Sequence, residues 1–385
     1  MNPVAPLRNT PPSYIREILS VVSNKDIISL AGGLPCPESF PMDIIETAMS
    51  AIATDKSLFQ YSATAGYSPL INTITERYDV TDGHDVLITN GSQQGIDLCT
   101  RVFINKGDKI VAEAPSYLGA LQIFSIAQAT LATVAQENDG PNIKQLEAHF
   151  TQGDVSFFYA IPDFHNPTGC CWSLEKRQQV AALCLRYKVL LIEDAPYREM
   201  RFSGDSLPTV ASLCPEFAIS LFSFSKMIAP GLRIGALITP KRYFSSFNKL
   251  KQATDLHTNV PLQALTHAIL NHTDFNTHLA ASKQRYKVRY ESLAKAISSH
   301  PSYSKCTMAQ VEGGMFIWLT LPDCDVSTIA RQAIENDVAV VPSTEFYNDD
   351  DYHPSALRIN FSYNSSDKIQ EGIDRLATVL QTCLN

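Results

Sequence analysis

Between about residues 85 and 240, short apolar runs alternate with helical stretches, and that rhythm narrows the possible folds more than any other feature. The runs at 86–89, 109–113, 129–134, 155–161, 189–192, 217–224 and 234–238 read as strands. A helix that continues from the 90–95 turn to 103, and helical stretches at 119–127 and 174–187, separate several of them. The last of these helices is capped by Ser173, with Glu175 in its first turn. Strands joined by helices build a mostly parallel, doubly wound α/β sheet. In such a sheet ligands bind beyond the carboxyl ends of the strands.

Polar residues collect at those ends. Ser92, Tyr117, Asn166, Asp194 and Lys226 each fall just after or at the end of an expected strand. The stretch Asn90-Gly91-Ser92-Gln93-Gln94-Gly95 turns a strand into a helix, and free N–H groups at a helix start suit an anion. Alone, that motif also describes an ordinary strand–helix turn.

The richest stretch is Ser223-Phe224-Ser225-Lys226-Met227-Ile228-Ala229-Pro230-Gly231-Leu232-Arg233. An ammonium at the end of a buried strand is costly to desolvate. The cost disappears if the amine forms an imine with a carbonyl cofactor. Ser223, Ser225 and Arg233 then suit a phosphate, through hydroxyl donors and a planar guanidinium. Lysine imine plus phosphate cup is what pyridoxal phosphate requires. An isolated lysine would read as a surface residue.

The rest of the chain is organised around this region. A proline-rich arm at 3–12 precedes a short helix, 14–22, which Ser13 can cap. Ala31-Gly32-Gly33-Leu34-Pro35 is a stiff loop whose backbone can approach a ligand. Helices are expected at 42–54 and, capped by Ser68, up to residue 78. The pattern over 254–300 is helical. Strands at 313–319, 338–341 and 356–361 and helices at 326–336 and 366–383 complete a smaller α+β unit. The expected division is an arm and helix at 1–50, joined to the small domain; a large cofactor-binding domain at 51–270; and a C-terminal small domain at 271–385.

Composition excludes other classes. A chain of 385 residues with 45% hydrophobic and 18% charged residues is an ordinary globular protein of more than one core. A net charge of −8 leaves no basic footprint for nucleic acid. No apolar run reaches the roughly 18 residues of a membrane span, and no signal peptide opens the chain. Nine cysteines with no Cys-x-x-Cys spacing suggest reduced structural thiols, no metal site and a cytoplasmic protein.

Taken together, Asn166-Pro167-x-Gly169, Asp194-x-x-Tyr197, Ser223-x-Ser225-Lys226, Arg233 and Arg358 resemble, in order and spacing, the fold-type I pyridoxal phosphate (PLP) aminotransferases of the aspartate aminotransferase superfamily. Ser29-Leu30-Ala31-Gly32-Gly33-Leu34-Pro35 and Ala114-Pro115-Ser116-Tyr117-Leu118-Gly119-Ala120 look most like the kynurenine/2-aminoadipate branch. The resemblance implies that Lys226 holds PLP and moves the substrate proton. Asp194 would pair with the ring nitrogen, Asn166 and Tyr197 with the ring oxygen, and Tyr117 would stack on the ring. Ser92, Gln93, Ser223, Ser225 and Arg233 would hold the phosphate. Arg358 would clamp the substrate carboxylate, and Gly33 and Leu34 would line its pocket. Tyr61 (with Tyr67 as the alternative) would reach a partner's phosphate, making a homodimer with shared sites.

Substrate choice is less constrained. Arg16 sits where aminoadipate-type members carry an arginine for side-chain carboxylates; an exposed helix arginine is the other reading. The expected substrates are an L-amino acid such as glutamate, 2-aminoadipate or an aromatic one, and a 2-oxo acid. His165, Ala195 and Cys170-Cys171 depart from the branch pattern close to the site. The rival readings are a decarboxylase, lyase or oxidase of the same fold, and a PLP-sensing regulator. Against the regulator, the chain starts almost at the catalytic domain and lacks a basic recognition segment.

Overall fold

The structure is a computed structural model, and it describes Val4, Pro6, Leu7, Tyr14, Ile18 and residues 26–348 and 353–384. The expected helix at 14–22, with Arg16, lies almost wholly outside the described residues. Of the arm, Pro6 and Leu7 are helical.

The first described strand, β1 (Ile28–Ser29), is followed by helices α1 (Met42–Ile52) and α2 (Ser68–Arg77). Tyr67, not Ser68, occupies the cap position of α2, and Pro69 in the first turn sets the backbone for the helix. Then come β2 (His84–Thr89), α3 (Ser92–Phe103), β3 (Lys109–Ala114), α4 (Leu118–Ile126), β4 (Thr130–Glu137) and β5 (Gly140–Pro141). Helix α5 (Ile143–Phe150), β6 (Val155–Ala160), α6 (Leu174–Tyr187), β7 (Leu190–Asp194), a short α7 (Val210–Leu213), β8 (Ala218–Ser223) and β9 (Gly235–Pro240) follow. The Ser173 hydroxyl accepts from the Lys176 amide and starts α6 as expected.

These strands form one eight-stranded sheet in the order β2-β9-β8-β7-β6-β3-β4-β5. Pairs β3–β4, β3–β6, β6–β7 and β7–β8 are parallel, while β9 runs antiparallel to both β8 and β2. Alternate side chains enter opposite cores. Phe157, Tyr159, Leu190 and Ile192 meet α3 and α4 residues such as Ile96 and Phe124. Phe158, Leu191 and Ala218 meet Leu146 of α5 and Val180 of α6. Period two in strands buried on both faces is what a helix-covered parallel sheet requires. The chain steps outward from β3 to β4 and returns to β6 on the other side of β3. That reversal leaves a crevice between the carboxyl ends of β3 and β6.

Helices α8 (Lys241–Asp255), α9 (Val260–Leu270) and α10 (Phe275–Ser299) lead to a second, four-stranded sheet. Its order is β10 (Thr307–Met308), β11 (Phe316–Thr320), β14 (Ala356–Asn360), β13 (Val341–Pro342). Helix α11 (Val326–Glu335) precedes β12 (Val338–Ala339), which pairs parallel with β1. The closing helix α12 (Ser366–Cys383) has the expected bounds. The strand expected from 313 begins only at Phe316, because Gly313 and Gly314 wrap against the Phe164 ring. No described helix is long and apolar enough to cross a membrane.

Candidate active site

The crevice off β3 and β6 opens into a cavity of about 840 Å³. Every described residue given a site role from the sequence lines it, except Tyr61 and its alternative Tyr67. A larger open groove of about 1670 Å³, lined by residues such as Cys170, Lys287 and Trp318, contains none of the residues given a site role. Convergent polar chemistry, not size, marks the smaller cavity as the site.

Lys226 follows β8 in a tight turn and donates from Nζ to the Gly33 carbonyl at 2.7 Å. Burial, and then the cations of Arg233 and Arg358, pull its amine down to about 8. A lysine there is a usable base near neutrality.

Asp194 ends β7 and is 2% exposed. The Tyr159 hydroxyl donates to its Oδ2 at 2.9 Å, while Oδ1 has no partner. Burial pushes the carboxyl up to about 7, against hydrogen bonds from Tyr159 and Ser92 that favour the charged form. A buried carboxylate with one free oxygen calls for a cationic N–H to face it.

Tyr117, before α4, donates to Gln93 Oε1 at 2.9 Å, and Gln93 Nε2 donates to the Gly119 carbonyl at 3.3 Å. A Cβ on Gly119 would sit 2.6 Å from the Tyr117 ring, so glycine is needed for the ring to lie there. The start of α3 forms the anion end. Gly91 has φ +79°, and a Cβ on it would lie 2.7 Å from the Arg233 guanidinium. Arg233 donates to Ser225 Oγ and to the Asn90 carbonyl, both at 3.3 Å. The turn is tied from behind by α8. Asp255 Oδ2 accepts from Asn90 Nδ2 at 2.6 Å and from Gln94 Nε2 at 2.8 Å, and the buried Lys251 pairs with that carboxylate.

Arg358 enters from β14 and is 1% exposed. It donates to Asn166 Oδ1 at 2.8 Å and to the Ala31 carbonyl, and it stacks 4.3 Å from the Phe316 ring centroid. Its Nε has no partner, and no described carboxylate pairs with it. Burial lowers it to about 10. Asn166 Nδ2 in turn donates to the Tyr197 hydroxyl at 3.4 Å.

Tyr61 is 80% exposed, edge-on to His257, and lies outside its own chain's cavity. Tyr67 packs inward against His267. The sequence reading passed over Tyr159, Gly119, Phe316 and the Lys251–Asp255 pair. Gly119 stood within a quoted motif but was given no role.

Pyridoxal phosphate fits this donor set. The unpartnered Asp194 oxygen suits the ring nitrogen, the held Tyr117 ring suits a stacking face, and the α3 start with Arg233 suits a phosphate. Fold and cavity define the class as a fold-type I PLP-dependent aminotransferase. Residues 25–376 match the family model described as aminotransferase class I and II, and the chain belongs to that family. It is 36% identical to aromatic-amino-acid aminotransferase 1 of Thermococcus litoralis, over 96% of this chain and 91% of that one. It is 34% identical to 2-aminoadipate transaminase of Thermus thermophilus, over 97% and 94%. A crystal structure of kynurenine aminotransferase from Pyrococcus horikoshii, in complex with PMP, superposes with a TM-score of 0.92 at 35% identity, covering 98% of this chain and 96% of that one. The chain is therefore an aminotransferase that uses pyridoxal phosphate to move amino groups between amino acids and 2-oxo acids.

Proposed function

We propose that this aminotransferase accepts several L-amino donors, among them glutamate, 2-aminoadipate and aromatic amino acids, and works as a cytoplasmic homodimer. The observation that carries the reading is Arg358, a buried guanidinium without an acid partner in the same cavity as Lys226. Such a group suits a substrate α-carboxylate held by two parallel hydrogen bonds.

Bound pyridoxal phosphate supplies an aldehyde for the donor nitrogen and a ring that accepts electrons from the donor Cα. Arg358 and Asn166 orient the donor through its carboxylate, which fixes where the Cα–H points. Lys226 would take that proton and give it back on the far side of the donor nitrogen, at the cofactor's aldehyde carbon; an amine near 8 can do both. Asp194 would face the ring nitrogen with the Oδ1 that has no other partner, and hydrogen bonds from Tyr159 and Ser92 favour its charged form. Asn166 and Tyr197 serve the ring oxygen. Ser92, Gln93, Ser223, Ser225 and Arg233 hold the phosphate.

The same reading divides the chain into a large unit at 51–270 and a smaller one at 271–385 joined by 1–50. The exposed Tyr61 supports shared sites, since a ring 80% open on one chain is free to complete another. All nine cysteines are unpaired, as suits a reducing compartment. Arg16 is retained as a contact for side-chain carboxylates.

A donor panel tests the proposal, read by absorbance of the pyridoxamine form near ~330 nm in single half-reactions. Conversion with glutamate, 2-aminoadipate and an aromatic donor is expected; conversion with none of them overturns the substrate class. Arg16→Ala should raise KM for dicarboxylic donors only.

A further inference from the structure

One residue before Asn166 lies a buried polar cluster that the proposed chemistry does not use. Glu113 on β3 and His165 after β6 are each 1% exposed, with Oε2 and Nε2 separated by 3.7 Å. Neither atom has another hydrogen-bond partner among the described residues.

The surrounding donors decide where the protons are. Trp172 Nε1 can only donate, and it donates to Glu113 Oε1 at 3.1 Å. That oxygen also receives Gln136 Nε2 at 3.0 Å, so the amide turns its Oε1 away, toward Thr168. Thr168 gives its hydroxyl proton to that oxygen at 2.5 Å. With the proton used, Thr168 Oγ1 can only accept. It takes the Cys170 amide and faces His165 Nδ1, each at 3.2 Å. Nδ1 therefore carries a proton. In a neutral imidazole Nε2 is then a bare lone pair pointing at Glu113 Oε2. A carboxylate there would set two acceptors against each other in a dry site.

We propose that Glu113 is held as the neutral acid and donates from Oε2 to His165 Nε2, and that this bond positions Asn166 for Arg358. The 3.7 Å between the two atoms exceeds hydrogen-bond range, so the acid proton has to draw them together by about 0.5 Å; the bond then closes a ring through Glu113, Gln136, Thr168 and His165. The turn carrying Asn166 is pinned to that ring by His165 N–H to the Cys170 carbonyl at 2.8 Å and Gly169 N–H to the His165 carbonyl at 2.6 Å. Burial acts the same way, raising Glu113 to about 7 against hydrogen bonds from Gln136, Trp172 and the Ile161 backbone that favour the charged form, and lowering His165 to about 3. Cys170, the other titratable group facing Glu113, is also driven by burial toward its neutral form. Glu113 and His165 are positioning residues: they act through Asn166. That part rests on the role proposed for Arg358; the proton's location does not.

The test is ¹⁵N-histidine NMR of the full-length holoenzyme between pH 6 and 8, with donor kinetics of two variants. His165 is expected neutral throughout and protonated on Nδ1, with Nε2 hydrogen-bonded at pH 6 and released as Glu113 ionises around pH 7. Glu113→Gln places an amide N–H where the acid proton stood and should keep the donor KM within about twofold. Glu113→Leu, which can neither donate nor accept, should raise the donor KM about tenfold or more, following the loss of a positioned contact. An imidazolium at His165 overturns the proposal. So does Glu113→Gln behaving like Glu113→Leu, or Glu113→Leu leaving KM unchanged. If Glu113→Leu fails to fold, the NMR signature and Glu113→Gln still decide. Arg358→Lys with an unchanged donor KM would sink the clamp and leave the proton assignment standing.

Discussion

Asp194 keeps one carboxylate oxygen free because Tyr159 occupies the other. Tyr159→Phe removes a hydrogen bond to a charged group, about 1.5–3 kcal/mol by general experience. Asp194 should then ionise less readily, and the amino-donor half-reaction should slow roughly tenfold or more in stopped-flow. An unchanged rate would mean that Ser92 alone sets the carboxylate. Gly91 gives a second test at this scale. Gly91→Ala forces a side chain into φ +79° and against Arg233, so cofactor Kd should rise about tenfold in a titration of the apoenzyme. Asp194, Lys226 and Arg233 were legible because each interrupts an apolar run or turn with a charge that needs a reason. Tyr159 was not. Within 155–161 it looks like one more core aromatic, and nothing local tells its hydroxyl from a buried orphan.

Elements fared by the same logic. The strands of the large sheet were readable because their apolar runs end abruptly on polar turns. Helix α8 was not read before residue 254. It follows Pro240 with no side-chain cap, and Lys241, Arg242 and Lys249 interrupt its apolar stripe. Yet α8 carries the pair behind the anion-binding turn. Asp255→Ala would free Asn90 and Gln94 and strand Lys251 unpaired. Breaking a fully buried pair costs about 3–5 kcal/mol, and with Asp255 23% exposed and Thr258 still bonded to Lys251 the loss should fall below that. Thermal unfolding should report that loss, and cofactor affinity should fall with it. The double change Lys251→Met with Asp255→Leu should unfold at a higher temperature than Asp255→Ala alone, because no charge is left behind. The reverse order would show that the pair does not support the turn.

At the scale of the whole molecule, buried ionisable groups oppose one another across pH. Asp194 and Glu113 are raised from 3.8 and 4.5 to about 7. Their neutral forms favour folding fully below about pH 4, and that contribution is lost as pH rises to about 7. Lys226 is lowered from 10.5 to about 8, so its contribution is present above 10.5 and lost as pH falls through 8. The cofactor-free protein should therefore show its lowest mid-range Tm near pH 7–8. Asp194→Asn should gain on the wild type as pH rises from about 4 to 7; a constant difference would contradict the assignment. Shared sites have their own measurement. Mixed dimers of Lys226→Ala and Tyr61→Ala chains contain one site with both residues intact, so mixing two weak variants should restore activity. No recovery would place Tyr61 in its own chain's structure.

One consequence follows from the backbone at residues 31–34. Its carbonyls serve three masters: Ala31 takes Arg358, Gly33 takes Lys226, and Leu34 takes the Ser362 hydroxyl. The strap that carries them therefore grips the acid–base lysine and the anion clamp with one piece of main chain. A substitution that tilts this strap should alter substrate grip and proton transfer in concert, so the two kinetic constants cannot be tuned independently from there.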